Sequence, residues 1–134
     1  MKERKYKWSF AELLDRLTIV QQKEIYNVEH RDKFTQELND ILYDLGLEIE
    51  EDNIKITPNL LRDVIVLTLM NSWIWANEDN IRKGVAGENN LVLTHQLNDL
   101  RSAAKKRIQE EIGGRIDYKL NNLKADNQFV PSGY

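Results

Sequence analysis

The sequence predicts an all-α protein, an antiparallel bundle of four to five helices. Three observations carry this. Apolar residues recur every three or four positions through four long stretches, the spacing of one helix face. Only two prolines and six glycines interrupt 134 residues. The stretches between the periodic segments are short, and short connections favour antiparallel neighbours.

The first helix opens at a capping box. Ser9 stands as N-cap and Glu12 as its N3 partner. Phe10, Leu13, Leu14, Leu17, Val20, Ile25 and Val28 then form a stripe that carries the helix to about His30. Gln21 and Glu24 fall inside that stripe. They either reach water at a shallow part of the interface or face the polar residues of a later helix across the core.

Arg31-Asp32 reads as a break, and Phe34, Leu38, Ile41, Leu42 and Leu45 as the second helix, closed by Gly46 at its C′ position. Over 47–57 the character changes. Leu47-Glu48-Ile49-Glu50 and Ile54-Lys55-Ile56-Thr57 alternate apolar and polar around Glu51-Asp52-Asn53. This segment reads as a small β-hairpin or an extended loop.

The third helix, Leu60 to Arg82, reads as the central one. Thr57 and Pro58 supply a cap and a proline at the first helical position. Val64 to Ala76 holds no Gly, Pro or charge. Apolar side chains cover nearly its whole circumference, the mark of a helix buried on several sides. The run is shorter than the roughly 20 residues of a membrane span. Trp73 and Trp75 are therefore expected to be shielded, and Trp8 less so. Asn71, Trp75, Glu78 and Arg82, spaced 4, 3 and 4 apart, share one face of this helix. A carboxylate on a buried face needs a partner or a shifted pKa. Glu78 therefore pairs with Arg82 or Arg101, or points with Asn71 into a pocket.

Gly84 closes the third helix, and Glu88 to Ile112 forms the fourth, with Leu93, Leu97, Leu100, Ala104, Ile108 and Ile112 inward. Asn98 and Arg101 flank that stripe. Lys105, Lys106 and Arg107 read as a solvated basic face. Gly113-Gly114 breaks the helix. Ile116, Leu120 and Leu123 support a short last one. The chain reads as a single domain over 1–134, with 1–8 and 125–134 as loosely held ends.

Composition excludes several functions. The net charge of −3 argues against a nucleic-acid binder. The absence of cysteine removes disulfides and thiolate chemistry, and fits a cytoplasmic protein. The polar start MKERKYKWSF has no secretory apolar region. HExxH, P-loop, GxGxxG and nucleophile-elbow patterns are missing. The sequence assigns no metal site and no cofactor, and it leaves enzyme and non-enzyme open.

What remains is carboxylates on helices. Glu24, Glu29, Glu78 and Asp79 have the chemistry of Mg²⁺ ligands. All-α nucleotide pyrophosphohydrolases resemble the chain in size and helicity. They carry Glu-Glu-x-x-Glu and a later Glu-x-x-Asp, where this chain has only Glu24 with Glu29, and adjacent Glu78-Asp79.

A nearer resemblance covers three segments: Leu14-Asp15-Arg16-Leu17-Thr18-Ile19 with Lys23; Asn71, Ile74-Trp75, Glu78-Asp79 and Arg82; and Leu97-Asn98-Asp99-Leu100-Arg101 with Lys105. In that order they resemble small uncharacterised bacterial and phage helical proteins with the pattern ELLDRLTI…K, N-x-x-(L/I)-W-x-x-E-D-x-x-R and LN-x-x-R…K. A Glu is common in those proteins where Gln21 stands, and no activity is established for them. The resemblance implies one polar cluster from three helices, including Asp15, Lys23, Asn71, Glu78, Asp79, Asn98 and Arg101.

The candidate ligand-binding residues are therefore Gln21, Glu24, Asn71, Trp75, Glu78, Asp79, Arg82, Asn98 and Arg101. The favoured function is a non-enzymatic binding or assembly module, a homodimer with a polar inter-helix pocket for a small molecule of unreadable identity. Neither nucleic acid nor membrane is an expected partner. The alternative is a metal-dependent hydrolase of a nucleotide or other phosphorylated substrate.

Overall fold

A computed structural model describes residues 3–85, 87, 90–113, 127 and 129–134. Four helices form the described fold: α1 (Phe10–Tyr26), α2 (Arg31–Glu51), α3 (Pro58–Arg82) and α4 (Asn90–Ile112). No strand occurs among the described residues. Neither does any helix long and apolar enough to cross a membrane. The expected short helix around Ile116 to Leu123 lies outside the described residues.

The caps read from sequence are present. The Ser9 side chain accepts the Glu12 N–H at the start of α1, and Thr57 accepts that of Leu60 before Pro58 opens α3. Three boundaries differ from expectation. α1 ends at Tyr26, where the Asn27 N–H closes on Lys23 O, and a single 3₁₀ turn, Val28–His30, leads into α2. Gly46 does not end α2. A helical glycine costs about 1 kcal/mol against alanine, and burial of Leu45, Leu47 and Glu48 around it offsets that. The hairpin over 47–57 is absent because its first half is the last turn of α2. Asn53, in the left-handed region at φ 50°, turns the chain instead.

α1 with α2, α3 with α4, and α1 with α4 run antiparallel. Asp63 meets Arg107 and Asn77 meets Thr94 across α3 and α4, and Ala11 meets Gln109 across α1 and α4. α1 and α3 run the same way, with Asn71 against Asp15 and Trp75 against Tyr26. The core joins Leu13, Leu14, Val20, Ile41, Leu67, Leu97, Leu100 and Ile108.

The central helix is α1, not α3. α1 packs on each of the other three, whereas α3 packs on α1 and α4, and α2 on α1 alone. α3 therefore keeps one apolar face outward. Leu61, Ile65 and Leu69, one turn apart, are 54–59% exposed. Trp73 continues the row, partly exposed with its edge against Phe129, so it is less shielded than expected. Trp75 is half-buried and Trp8 exposed.

The described parts of both ends are anchored. The carboxylate of Asp44 accepts the backbone N–H groups of Lys5 and Tyr6, at 2.6 Å each. Arg4 reaches Glu48 and Glu51. At the other end, Tyr134 donates its hydroxyl to buried Asp63, and the Arg107 guanidinium lies 4.2 Å over its ring. Burial and Asp63 together push the Tyr134 hydroxyl pKa far up, so the phenol stays protonated. Arg62 holds Ser132 O at 2.8 Å. The basic patch at 105–107 is correspondingly structural in two of its three residues: Lys105 is buried, and Arg107 bonds Asp63 at 3.0 Å.

Candidate functional site

Among the buried charges of this fold, Asp15 is the one where α1, α3 and α4 meet, on the α1 face that Ala11, Asp15 and Thr18 share. All three are buried, and Asp15 is only 3% exposed. Two of these side chains are small, which brings α3 and α4 close. From α4, Arg101 grips the carboxylate with two nitrogens, Nε to Oδ1 at 3.0 Å and Nη2 to Oδ2 at 2.5 Å. From α3, Asn71 Nδ2 donates to Asp15 Oδ1 at 2.7 Å and to Thr18 Oγ1 at 2.8 Å. The Thr18 hydroxyl donates in turn to Asp15 O at 2.8 Å. Lys105 pairs with Glu12 and lies 3.7 Å from Asp15.

Burial raises the carboxyl pKa of Asp15. The hydrogen bonds and charge of Arg101, the Asn71 amide and the Lys105 charge outweigh it and hold the pKa below the usual value. The Asp15 hydrogen bonds hold the Arg101 proton correspondingly more tightly. Two forked bonds and an amide donor satisfy the carboxylate, the condition under which a buried charge is tolerated.

This network floors a cavity of about 490 Å³. Ile19, Gln22 and Lys23 of α1 line it, with Phe34 of α2, Arg101 of α4, and Asn71, Ile74, Trp75, Glu78 and Arg82 of α3. Its walls are thus two aromatic rings, two isoleucines and a ring of polar groups. The Tyr26 edge packs on the Trp75 ring, centroids 5.6 Å apart, which fixes that wall. Lys23 Nζ lies over the Phe34 ring, 5.8 Å from its centroid.

Five candidates, Asn71, Trp75, Glu78, Arg82 and Arg101, come together in this cavity. Four do not. Gln21 is exposed and donates to Glu24, and Glu24 accepts from Thr35 of α2 at 2.7 Å. Neither lines the cavity at Asn71, because at about 100° per residue they lie about 120° and 180° around α1 from Asp15, on the side of α2 and water. Asp79 pairs with Lys83 at 2.8 Å on the surface. It lines only a shallower depression beside Trp75. Asn98 is half-buried on α4 and lines no described cavity.

Glu78 is not the buried member of an ion pair. It is exposed, and makes no ion pair among the described residues. Arg101 takes Asp15 instead, and Arg82 is 3.6 Å from Asp79. Among the described residues no three carboxylate or imidazole groups cluster as a metal site would require. The acids suggested as Mg²⁺ ligands are separated, Glu24 toward α2, Glu29 exposed in the 3₁₀ turn, Asp79 on Lys83 and Glu78 in the cavity.

A second cavity, about 510 Å³, lies between Trp8, Phe10, Glu48, Ile54, Gln109 and Ile112. Its Gln109 carbonyl is already engaged by the Ala11 N–H. Burial raises the Glu48 carboxyl pKa despite Arg4, and the ion pairs of Arg4 with Glu48 and Glu51 already engage that acid. The cavity over Asp15 is therefore the better candidate. No family model, curated protein or solved structure matches the chain.

Proposed function

We propose that this chain is a non-enzymatic binding module. Its ligand is a small molecule held between α1, α3 and α4 in the cavity above Asp15. One observation carries the reading: a concave site with aromatic walls stands on a satisfied, buried Asp15–Arg101–Asn71 network. Ligand sites are typically apolar hollows of 300–1,000 Å³ with a few fixed polar groups, and a buried network fixes such groups in place. The segments that resemble the bacterial and phage proteins contribute Asp15, Asn71, Glu78 and Arg101, which supports treating the cluster as one functional unit.

A thermal-shift screen against a chemically mixed set of small molecules tests it. A ligand of the native state raises apparent stability by about 2.7 kcal/mol at a hundred times its Kd. Compounds that stabilise the wild type and not Trp75→Ala support the pocket. A screen with no stabilising compound, or with hits indifferent to Trp75→Ala, overturns it.

We further propose that the module is a homodimer through the outward face of α3. Leu61, Ile65, Leu69 and Trp73 make an uncharged apolar row there, and contiguous exposed apolar surface marks an interface. Leu69→Glu is expected to convert a dimer to a monomer in sedimentation, with helical content unchanged. A wild-type monomer at micromolar concentration refutes the dimer.

A further inference from the structure

We infer that the cavity takes a small organic oxyanion, a phosphate or carboxylate carried on a flat body with a hydroxyl or amino donor. The inference rests on the pocket reading above and assigns its chemistry. Three cationic side chains from three helices line the cavity, Lys23, Arg82 and Arg101, against one carboxylate, Glu78. Arg101 uses Nε and Nη2 on Asp15 and leaves Nη1 without a hydrogen bond among the described residues. The Asp15 carboxylate fixes the guanidinium plane, so Nη1 is presented from a rigid support, as recognition of an oxyanion requires. Lys23 makes no ion pair among the described residues, and its ammonium lies over the Phe34 ring. A flexible ammonium beside a fixed guanidinium serves as the second anchor of an oxyanion.

The opposite charge in the wall carries the second half of the inference. Glu78 makes no ion pair among the described residues, although its charge acts on Arg101, and Asn71 spends its amide nitrogen on Asp15 and Thr18, leaving its oxygen without a hydrogen bond among the described residues. These are acceptors. A bare anion such as inorganic phosphate offers no donor apart from its own acidic O–H and is repelled by Glu78. A ligand with hydroxyl or amino donors at one end and an oxyanion at the other satisfies both sets. The Trp75 and Phe34 rings supply a surface for its flat body, the usual complement of a sugar or base ring.

Titration calorimetry of the full chain tests this with AMP, glucose 6-phosphate and glucuronate. Adenosine and glucose are the uncharged counterparts, and inorganic phosphate is the bare anion. The expected result is that one of the three organic anions binds at least about tenfold more tightly than its uncharged counterpart and than phosphate. AMP and glucose 6-phosphate against glucuronate separate a phosphate site from a carboxylate site. Lys23→Gln is expected to weaken that anion about tenfold, and to reduce its salt dependence, while leaving the melting temperature unchanged. Equal binding of the uncharged counterparts, or no effect of Lys23→Gln, overturns the oxyanion assignment. No binding by any of the three anions overturns it as well. In those cases hits from the mixed screen that depend on Trp75 leave the pocket standing, and their absence removes both.

Discussion

Asp15→Ala is expected to cost about 3–5 kcal/mol, the loss when one partner of a buried pair is removed and the other charge is stranded. For a chain of this size that lowers the melting temperature by roughly 10 °C or more. The removed carboxylate accepts two bonds from Arg101 and one from Asn71. Asp15→Ala combined with Arg101→Met should recover part of the loss, because the stranded guanidinium is gone. Glu78→Ala, at an exposed site, should stay within about 0.5 kcal/mol of wild type. Denaturant melts of these four proteins decide the matter, and equal losses for Asp15→Ala and Glu78→Ala would sink the assignment. A pH dependence follows as well. The folded carboxyl of Asp15 titrates below its unfolded counterpart, near 3.9. Its contribution is complete above that unfolded value and is lost as pH falls below it toward the folded one. Asp15→Asn should therefore show a shallower loss of stability than wild type below about pH 4, and a parallel slope between pH 5 and 8.

Asp44→Ala is expected to be the next most damaging change, at roughly 3 kcal/mol. This carboxylate is 0% exposed, and its two oxygens separately accept the N–H groups of Lys5 and Tyr6. Removing it leaves two backbone donors unpaired. The informative variant is Asp44→Asn. Its amide keeps one acceptor but turns an NH₂ toward an N–H, so it should cost nearly as much as Ala. Trp8 reports the event, since its stacking on Tyr6, centroids 4.2 Å apart, depends on the anchored segment. Wild-type stability in Asp44→Asn would show that the segment is not held this way.

Much of the fold was legible because helix signals are local. Ser9, Thr57 and Pro58 mark their helices by chemistry within a few residues. The errors came where tertiary burial outvoted such signals. Gly46 is a sound stop by propensity, and packing of Leu45 and Leu47 carries the helix through it. Alternation over Leu47–Glu50 fits a strand, but four residues fit a helix as well. In α3 the uncharged run fits burial on several sides, because sequence does not show how many neighbours exist. The candidate site was half legible. The 4, 3, 4 spacing marks Asn71, Trp75, Glu78 and Arg82, and Arg101 stands out beside the α4 stripe, but that spacing runs past the end of the core. The buried row runs Leu67, Met70, Asn71, Ile74, Asn77, and Glu78 shares its face, about 20° from Leu67, but stands a turn beyond Ile74, where α1 has ended at Tyr26 against Trp75. Asp15 was flagged only through the resemblance. Its own signal was present in Ala11 and Thr18, two small residues sharing its face, which mark a close helix approach where a paired carboxylate fits.

The attachment of α2 has a consequence for exchange of backbone amides with solvent. Among the described helices it packs on α1 alone, so its opening disturbs one helix interface and the anchored segment before α1, whereas opening α1 disturbs three helix interfaces. Proteins open in cooperative units whose free energies follow such packing. Amides of α2 should therefore exchange by a sub-global event, below the free energy at which Leu13, Leu67 and Leu100 exchange. Phe34, one wall of the cavity, belongs to that less protected unit. A ligand seated against Phe34 would slow exchange along α2 more than in α3 or α4, so protection at a helix that supplies only one wall becomes the most sensitive report of occupancy.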